Sequence, residues 1–141
     1  MKTSYKIALF AVFFLALAGI LFGIYLFNLQ SADLQKAEPD FRIAAIDLQK
    51  AFEKDETAAN TTYLNKIIEV TGTIETIKPG EETAVSISLK TENPLSAVIC
   101  TFQKKPDISE LTPGGQVTIR GECSGILMDI LLNNCVIVQD K

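Results

Sequence analysis

The sequence predicts a mainly β protein with some α structure. An N-terminal transmembrane helix comes first, then an amphipathic helix, then a five-stranded Greek-key barrel with a short helix between strands three and four. Three observations predict it. Ile7 to Phe27 holds no charged residue. After Tyr63 the apolar period falls from 3.6 residues to 2. The alternating segments that follow are short, number five, and are divided by Gly- and Pro-bearing turns. The 141 residues are room for about one domain, and an apolar share of 48% excludes a disordered chain.

The apolar run of 21 residues, as a helix rising 1.5 Å per residue, covers about 31 Å, close to the hydrocarbon thickness of a bilayer. Tyr25 lies near one end, at headgroup level. Lys2 and Lys6 precede the run, and Asp33, Glu38 and Asp40 follow it against only Lys36 and Arg42. Positive-inside bias then keeps the N-terminus in the cytoplasm and exports the rest. A cleaved signal peptide competes, with Ala16-Leu17-Ala18 as a small-x-small site. Cleavage there would leave GILFGIYLF exposed to water, so the uncleaved anchor is favoured. No Cys stands near the end of the run to take a lipid. Gly19 and Gly23 form a GxxxG pair that would let two helix backbones approach, although Gly is common in membrane helices anyway.

The chain thus divides into an anchor over 1–28, a tether over 29–41 and a helix-plus-barrel domain over 42–141. Asn28 to Asp40 is polar with mixed charges, and any helical extension of the anchor stops before Pro39. Ile43 to Asn60 has helical spacing, with Leu48 and Phe52 four apart and Lys50, Glu53, Lys54 and Glu56 on the outer face. Arg42, Ile43 and Ala44 offer no short side-chain oxygen for an N-cap.

Ile68, Val70, Gly72 and Ile74 alternate with polar residues as the first strand. Gly72 marks a bulge or a sharp bend at a barrel corner. Lys78 to Glu82 is a turn; Val85, Ile87 and Leu89 make the second strand; Thr91 to Pro94 turns again. Ala97 to Phe102 is the third strand, and Pro106 to Leu111 is the short helix, with Pro at an early position. Thr112-Pro113-Gly114-Gly115 is a turn with Gly placed after Pro. Gln116 to Cys123 and Ile130 to Val138 are the fourth and fifth strands, joined by a turn over 124–129. Five strands with a helical element between the third and fourth match the OB-fold, and a small sandwich is the runner-up.

The exported part resembles the tRNA_anti-like family of OB-fold envelope lipoproteins and membrane-anchored proteins. The likeness runs from about Pro39 to Val138. It rests on Leu48, Ala51-Phe52-Glu53, Ala58-Ala59-Asn60, Tyr63-Leu64 and Lys66 to Gly72, then on Gly115, Val117 to Gly125, Asp129-Ile130, Leu132 and Asn134-Cys135. The resemblance implies an OB barrel held by a lipid-bearing Cys or by a plain membrane helix, and this chain is similar to the second kind. The family name implies a likeness to anticodon-binding domains.

The residues themselves argue against nucleic acid. Lys2 and Lys6 are the charges before Asn28, so residues 29–141 carry 11 of the 13 basic and all 17 acidic side chains, a net charge of −6. That repels phosphate. The aromatic residues after the anchor are Phe41, Phe52, Tyr63 and Phe102, and Phe102 has core parity, so stacking platforms are missing. Lys104-Lys105 reads as a solvated pair. With no His, Ser-His and Cys-His pairs are excluded. Glu81-Glu82 in a turn reads as solvated charge, and Glu69 and Glu75 alternate outward. The expectation is no enzyme, no cofactor and no metal.

Three cysteines allow one disulfide in an exported domain. Cys123 and Cys135 flank a hairpin centred near Asp129 and are the favoured pair. Cys135 is out of phase with Ile130 and Leu132, which a bulge at Asn133-Asn134 would correct. Otherwise Cys100, which has inward parity, becomes the partner of Cys123. The expected function is a membrane-tethered binding module on the exported side of the inner membrane, for a protein, peptide or glycan. Its face is that of strands two and three, near Ser86, Ser88, Lys90, Thr101 and Gln103. A structural subunit of an envelope complex, in which Gly19 and Gly23 would matter more, and a nucleic-acid binder are the alternatives.

Overall fold

A computed structural model describes residues 2–80 and 84–138, with the side chains of Lys2 and of residues 27–33 left out. The chain forms two compact units, Met1–Asp33 and Leu34–Lys141. The first is one helix, α1 (Lys2–Asp33), in which Thr3–Leu26 is long and apolar enough to cross a membrane by length and composition. Its described side chains are exposed.

The second unit is a closed barrel. Its strands are β2 (Ile67–Pro79), β3 (Val85–Leu89), β4 (Val98–Phe102), β5 (Gln116–Ile126) and β6 (Ile130–Val138). They run around the barrel as β2-β3-β4-β6-β5, and β5 returns to pair with β2. The β4–β6 pair is parallel and closes the ring; the others in the ring are antiparallel. This is the OB arrangement that the strand count predicted. The alternating residues read from the sequence fill it: Ile68, Val70, Ile87, Leu89, Val98, Ile119 and Leu132 are wholly buried. Each such side chain contributes about 1.5–3 kcal/mol relative to exposure.

Several elements differ from the sequence reading. The helix expected over Ile43 to Asn60 is three elements: β1 (Phe41–Ala44), α2 (Ala45–Lys54) and α3 (Glu56–Tyr63). β1 lies parallel to Ile68–Thr71 of β2. As expected, no side chain caps α2; its N-cap is Ala44. The break falls at Asp55, which is extended and whose Oδ1 accepts the Ala58 amide at 3.0 Å. An Asp that caps a new helix ends the old one, and the two helices can then turn Phe52 and Ala59 into the same core.

The short helix expected at Pro106 to Leu111 does not form. Asp107 Oδ1 accepts from the Ser109 amide at 3.1 Å and hydroxyl at 2.6 Å, a local turn that competes with helix. These bonds hold the Asp107 carboxyl below its ordinary value. Pro113 also drives Thr112 away from helical backbone. What remains is one turn closed by the Leu111 amide on Ile108 O at 3.0 Å.

The turn at Thr112 to Gly115 is as expected: Gly115 N donates to Thr112 O at 3.0 Å, and Gly114 takes φ +89°, the left-handed position that needs Gly. Lys78 and Pro79 extend β2 rather than turning, and Glu81-Glu82 lies outside the described residues. The expected irregularity at Gly72 sits three residues on, where Glu75 is extra between the pairs Ile74–Leu89 and Thr76–Ser88. At Gly72 itself Ala45 of α2 comes so close that an added Cβ would lie 2.9 Å from the alanine's own.

Candidate binding face

Most of the residues expected at the binding face stand on the outside of β3 and β4, flanked by β2 and β6. Because Val85, Ile87 and Leu89 point inward, Ser86 and Ser88 stand outward and half-buried. The same parity on β4 turns out Ile99 and Thr101. Register joins them: Ser86 faces Thr101, Ser88 faces Ile99, and Ile99 faces Leu131 of β6. On the other side of β3, Lys78 and Thr76 of β2 face Ser86 and Ser88. The surface is a group of hydroxyls beside an aliphatic pair.

The structure brings Ser86, Ser88 and Thr101 together as the sequence suggested. Lys90 is exposed at the edge; its amide binds Thr73 O at 2.8 Å, and it borders an open groove of about 520 Å³ with Thr71, Gly72 and Gln116. Gln103 is exposed, one residue past the end of β4. Ile99 and Leu131 were legible from strand parity but not singled out; Thr76 and Lys78 were not legible, because the extra residue Glu75 reverses the parity set by Ile68, Val70 and Ile74. At one end of the face, Leu95 on the β3–β4 loop and Leu127 and Met128 on the β5–β6 turn are among the most exposed large apolar residues after the helix. Asp129 Oδ1 accepts the Ala97 amide at 2.8 Å and so ties the two loops together. Nothing in the sequence pattern placed these tips side by side.

The aromatic rings lie elsewhere. Phe52 and Phe102 are buried, and Phe41 meets Tyr63 edge-on with centroids 5.2 Å apart. Lys104 and Lys105 are exposed beyond β4, as expected of a solvated pair. Gly19 and Gly23 lie on α1, and an added Cβ at either would meet nothing within 4 Å. Among the described residues no group of three or more His, Cys, Asp or Glu is placed to hold a metal ion.

Glu69 is not a free outward carboxylate. Its Oε2 accepts from Arg120 Nη2 at 2.8 Å and Nε at 3.2 Å, and its Oε1 lies 3.5 Å from Arg42 Nε. Arg120 Nη1 meanwhile reaches three backbone carbonyls just before β1: Ala37 at 2.7 Å, Leu34 at 3.1 Å and Gln35 at 3.3 Å. Asp40 adds a second fastening, with Oδ2 accepting the Ile67 amide at 3.0 Å. The end of the expected tether is thus part of the barrel unit, with Leu34 buried.

The favoured Cys123–Cys135 bridge is not formed, nor is Cys100–Cys123; all three thiols are free and buried. The hairpin turns about Met128 rather than Asp129, with Ile126 opposite Ile130, so Cys123 faces Leu132. The expected bulge at Asn133-Asn134 is present: Asn134 takes φ +54°, and Leu132 and Cys135 both point inward. It directs Cys135 toward Gly121, where an added Cβ would lie 2.6 Å from the sulfur.

A long apolar helix ahead of a closed OB barrel defines a class of proteins, the OB-fold proteins of the tRNA_anti-like type. The tRNA_anti-like family profile matches residues 1–137, and the chain belongs to that family. The barrel is similar to a solved structure from Klebsiella pneumoniae subsp. pneumoniae MGH 78578, described as a "putative nucleic acid-binding lipoprotein". The two are 19% identical, with a TM-score of 0.56, over 69% of this chain and 91% of that one. At that identity the likeness is one of fold. No curated protein matches the chain.

Proposed function

We propose that this protein is a membrane-anchored, non-enzymatic binding module that docks a protein or peptide on the β3–β4–β6 face. In this reading α1 is an uncleaved span with Lys2 and Lys6 on the cytoplasmic side, and the barrel works on the exported side of the inner membrane. One observation carries the choice of partner: the Ile99–Leu131 pair lies beside the hydroxyls of Ser88 and Thr101 and adjoins loops bearing Leu95, Leu127 and Met128. Exposed apolar side chains rimmed by polar ones mark protein contacts. The Klebsiella protein's description raises a second reading, nucleic acid. Against it stand the net charge of −6 after the anchor and a face without aromatic platforms among the described residues.

A photo-crosslinking residue placed at Ser88 or Leu127 of the full chain in cells tests the proposal. A discrete adduct from both sites, absent when the same residue replaces exposed Thr61, supports it. The same products from all three sites would overturn it. Titration of the detergent-solubilised chain with labelled oligo-dT decides the second reading. Binding that weakens steeply with salt would favour nucleic acid over a protein partner.

A further inference from the structure

Cys100 and Cys135 meet inside the barrel. Cys100 on β4 stands in register with Leu132 on β6, in the parallel seam that closes the ring. The bulge at Asn134 brings Cys135 inward three residues later, and its thiol donates to Leu132 O at 3.4 Å. Gly121 supplies the room for that sulfur. The Cys135 thiol lies close enough to Cys100 to be the main cause of that thiol's raised pKa. Cys123 is fastened elsewhere: its carbonyl accepts from the Asn65 amide at 2.8 Å and its amide donates to Lys66 O at 3.0 Å.

We infer that Cys100 and Cys135 are the disulfide-forming pair of this protein, a covalent link between β4 and β6 that leaves Cys123 as a free thiol. The reaction breaks two S–H bonds and forms one Sγ–Sγ bond. The two protons and two electrons pass to a disulfide donor, either glutathione disulfide or an oxidised dithiol oxidoreductase, whose S–S bond breaks to give two thiols. Contact with Cys135, then burial, holds the Cys100 thiol well above its ordinary pKa. Exchange in the finished barrel is therefore slow, and the link forms while the β4–β6 seam is still open. That cells supply the oxidant rests on the exported reading above; the pairing itself does not.

The test is oxidative refolding of the full chain in detergent with glutathione disulfide, followed by alkylation and peptide mapping. Trypsin leaves Cys123 and Cys135 on one peptide after Arg120, so cleavage before Asp129 must be added to separate them. The expected product is a Cys100–Cys135 peptide pair, two hydrogen masses lighter than the reduced pair, with Cys123 alkylated. Its formation raises the melting midpoint by roughly 10 °C over the reduced protein. Cys123→Ser keeps the link and the shift. A link to Cys123, or three alkylated thiols after oxidative refolding, overturns the inference. A link in vitro with three free thiols in protein trapped from cells supports the pairing and overturns the exported location.

Discussion

Replacing Arg120 should release the segment that leads into the barrel, and the size of the effect can be worked from its contacts. Nη1 carries two hydrogens and faces three carbonyl oxygens, so it makes about two full bonds, the shorter ones to Ala37 and Leu34. A hydrogen bond to a charged group contributes about 1.5–3 kcal/mol, and water can replace part of it once the segment lifts. A loss of about 2–3 kcal/mol in local stability is reasonable for Arg120→Met. At tenfold per 1.4 kcal/mol, that raises the open population roughly 30- to 140-fold. Lys36 lies between the gripped carbonyls of Gln35 and Ala37. Under conditions where opening is faster than cleavage, trypsin should cut after Lys36 faster by that factor in the variant. The global midpoint should fall as well, because Glu69, only 13% exposed, loses its closer partner and keeps only the 3.5 Å contact to exposed Arg42. Arg120→Lys should fall between, since an ammonium cannot span the carboxylate and the carbonyls together. Equal cleavage rates at Lys36 in wild type and Arg120→Met would refute the reasoning.

Three further outcomes follow from single contacts. Gly121→Ala places a methyl 2.6 Å from the Cys135 sulfur and 3.1 Å from Asn133 O, and should cost about 1–3 kcal/mol by thermal melting. Combining it with Cys135→Ala should recover part of that loss. Asp55→Ala removes the cap on the Ala58 amide and should cost about 0.5–2 kcal/mol, whereas Asp55→Asn should cost less. In reductant, the raised Cys100 pKa makes a contribution to stability that is complete below the unfolded thiol's value of about 8.5. It is lost as pH rises above that toward the folded value, so melting midpoints from pH 7 to 10 should fall more steeply for wild type than for Cys100→Ala.

The barrel was legible because its strands are half-buried. One buried face forces a strict period of two, and Val85-Ser86-Ile87-Ser88-Leu89 announces both the strand and its outward serines. Thr112-Pro113-Gly114-Gly115 was legible because the turn's chemistry is local. β1 was not, since four residues show no period and its strand character comes from β2 beside it. The break at Asp55 had a local signal, an Asp four residues after Ala51 that could cap as easily as continue. Pairing of the thiols failed for a subtler reason. Extra residues at Ser124 and Asn134 shift the β5–β6 register in opposite senses, and no count of residues about a hairpin centre reveals that. The grip of Arg120 spans 83 to 86 positions and lies beyond any pattern read along the chain.

β1 also decides where the folded unit can be cut. β2 pairs with β5 through Ile67–Thr73 and with β3 only from Ile74 onward, so the flank opposite β5 at Ile68–Thr71 would be bare without β1. A soluble fragment begun at residue 42 would shorten that cover, discard the Asp40 fastening and leave Arg120 facing missing carbonyls. It would present raw strand edge to its neighbours in solution, an invitation to aggregate. Expression of the barrel alone should therefore start ahead of Leu34, inside the helix that precedes it.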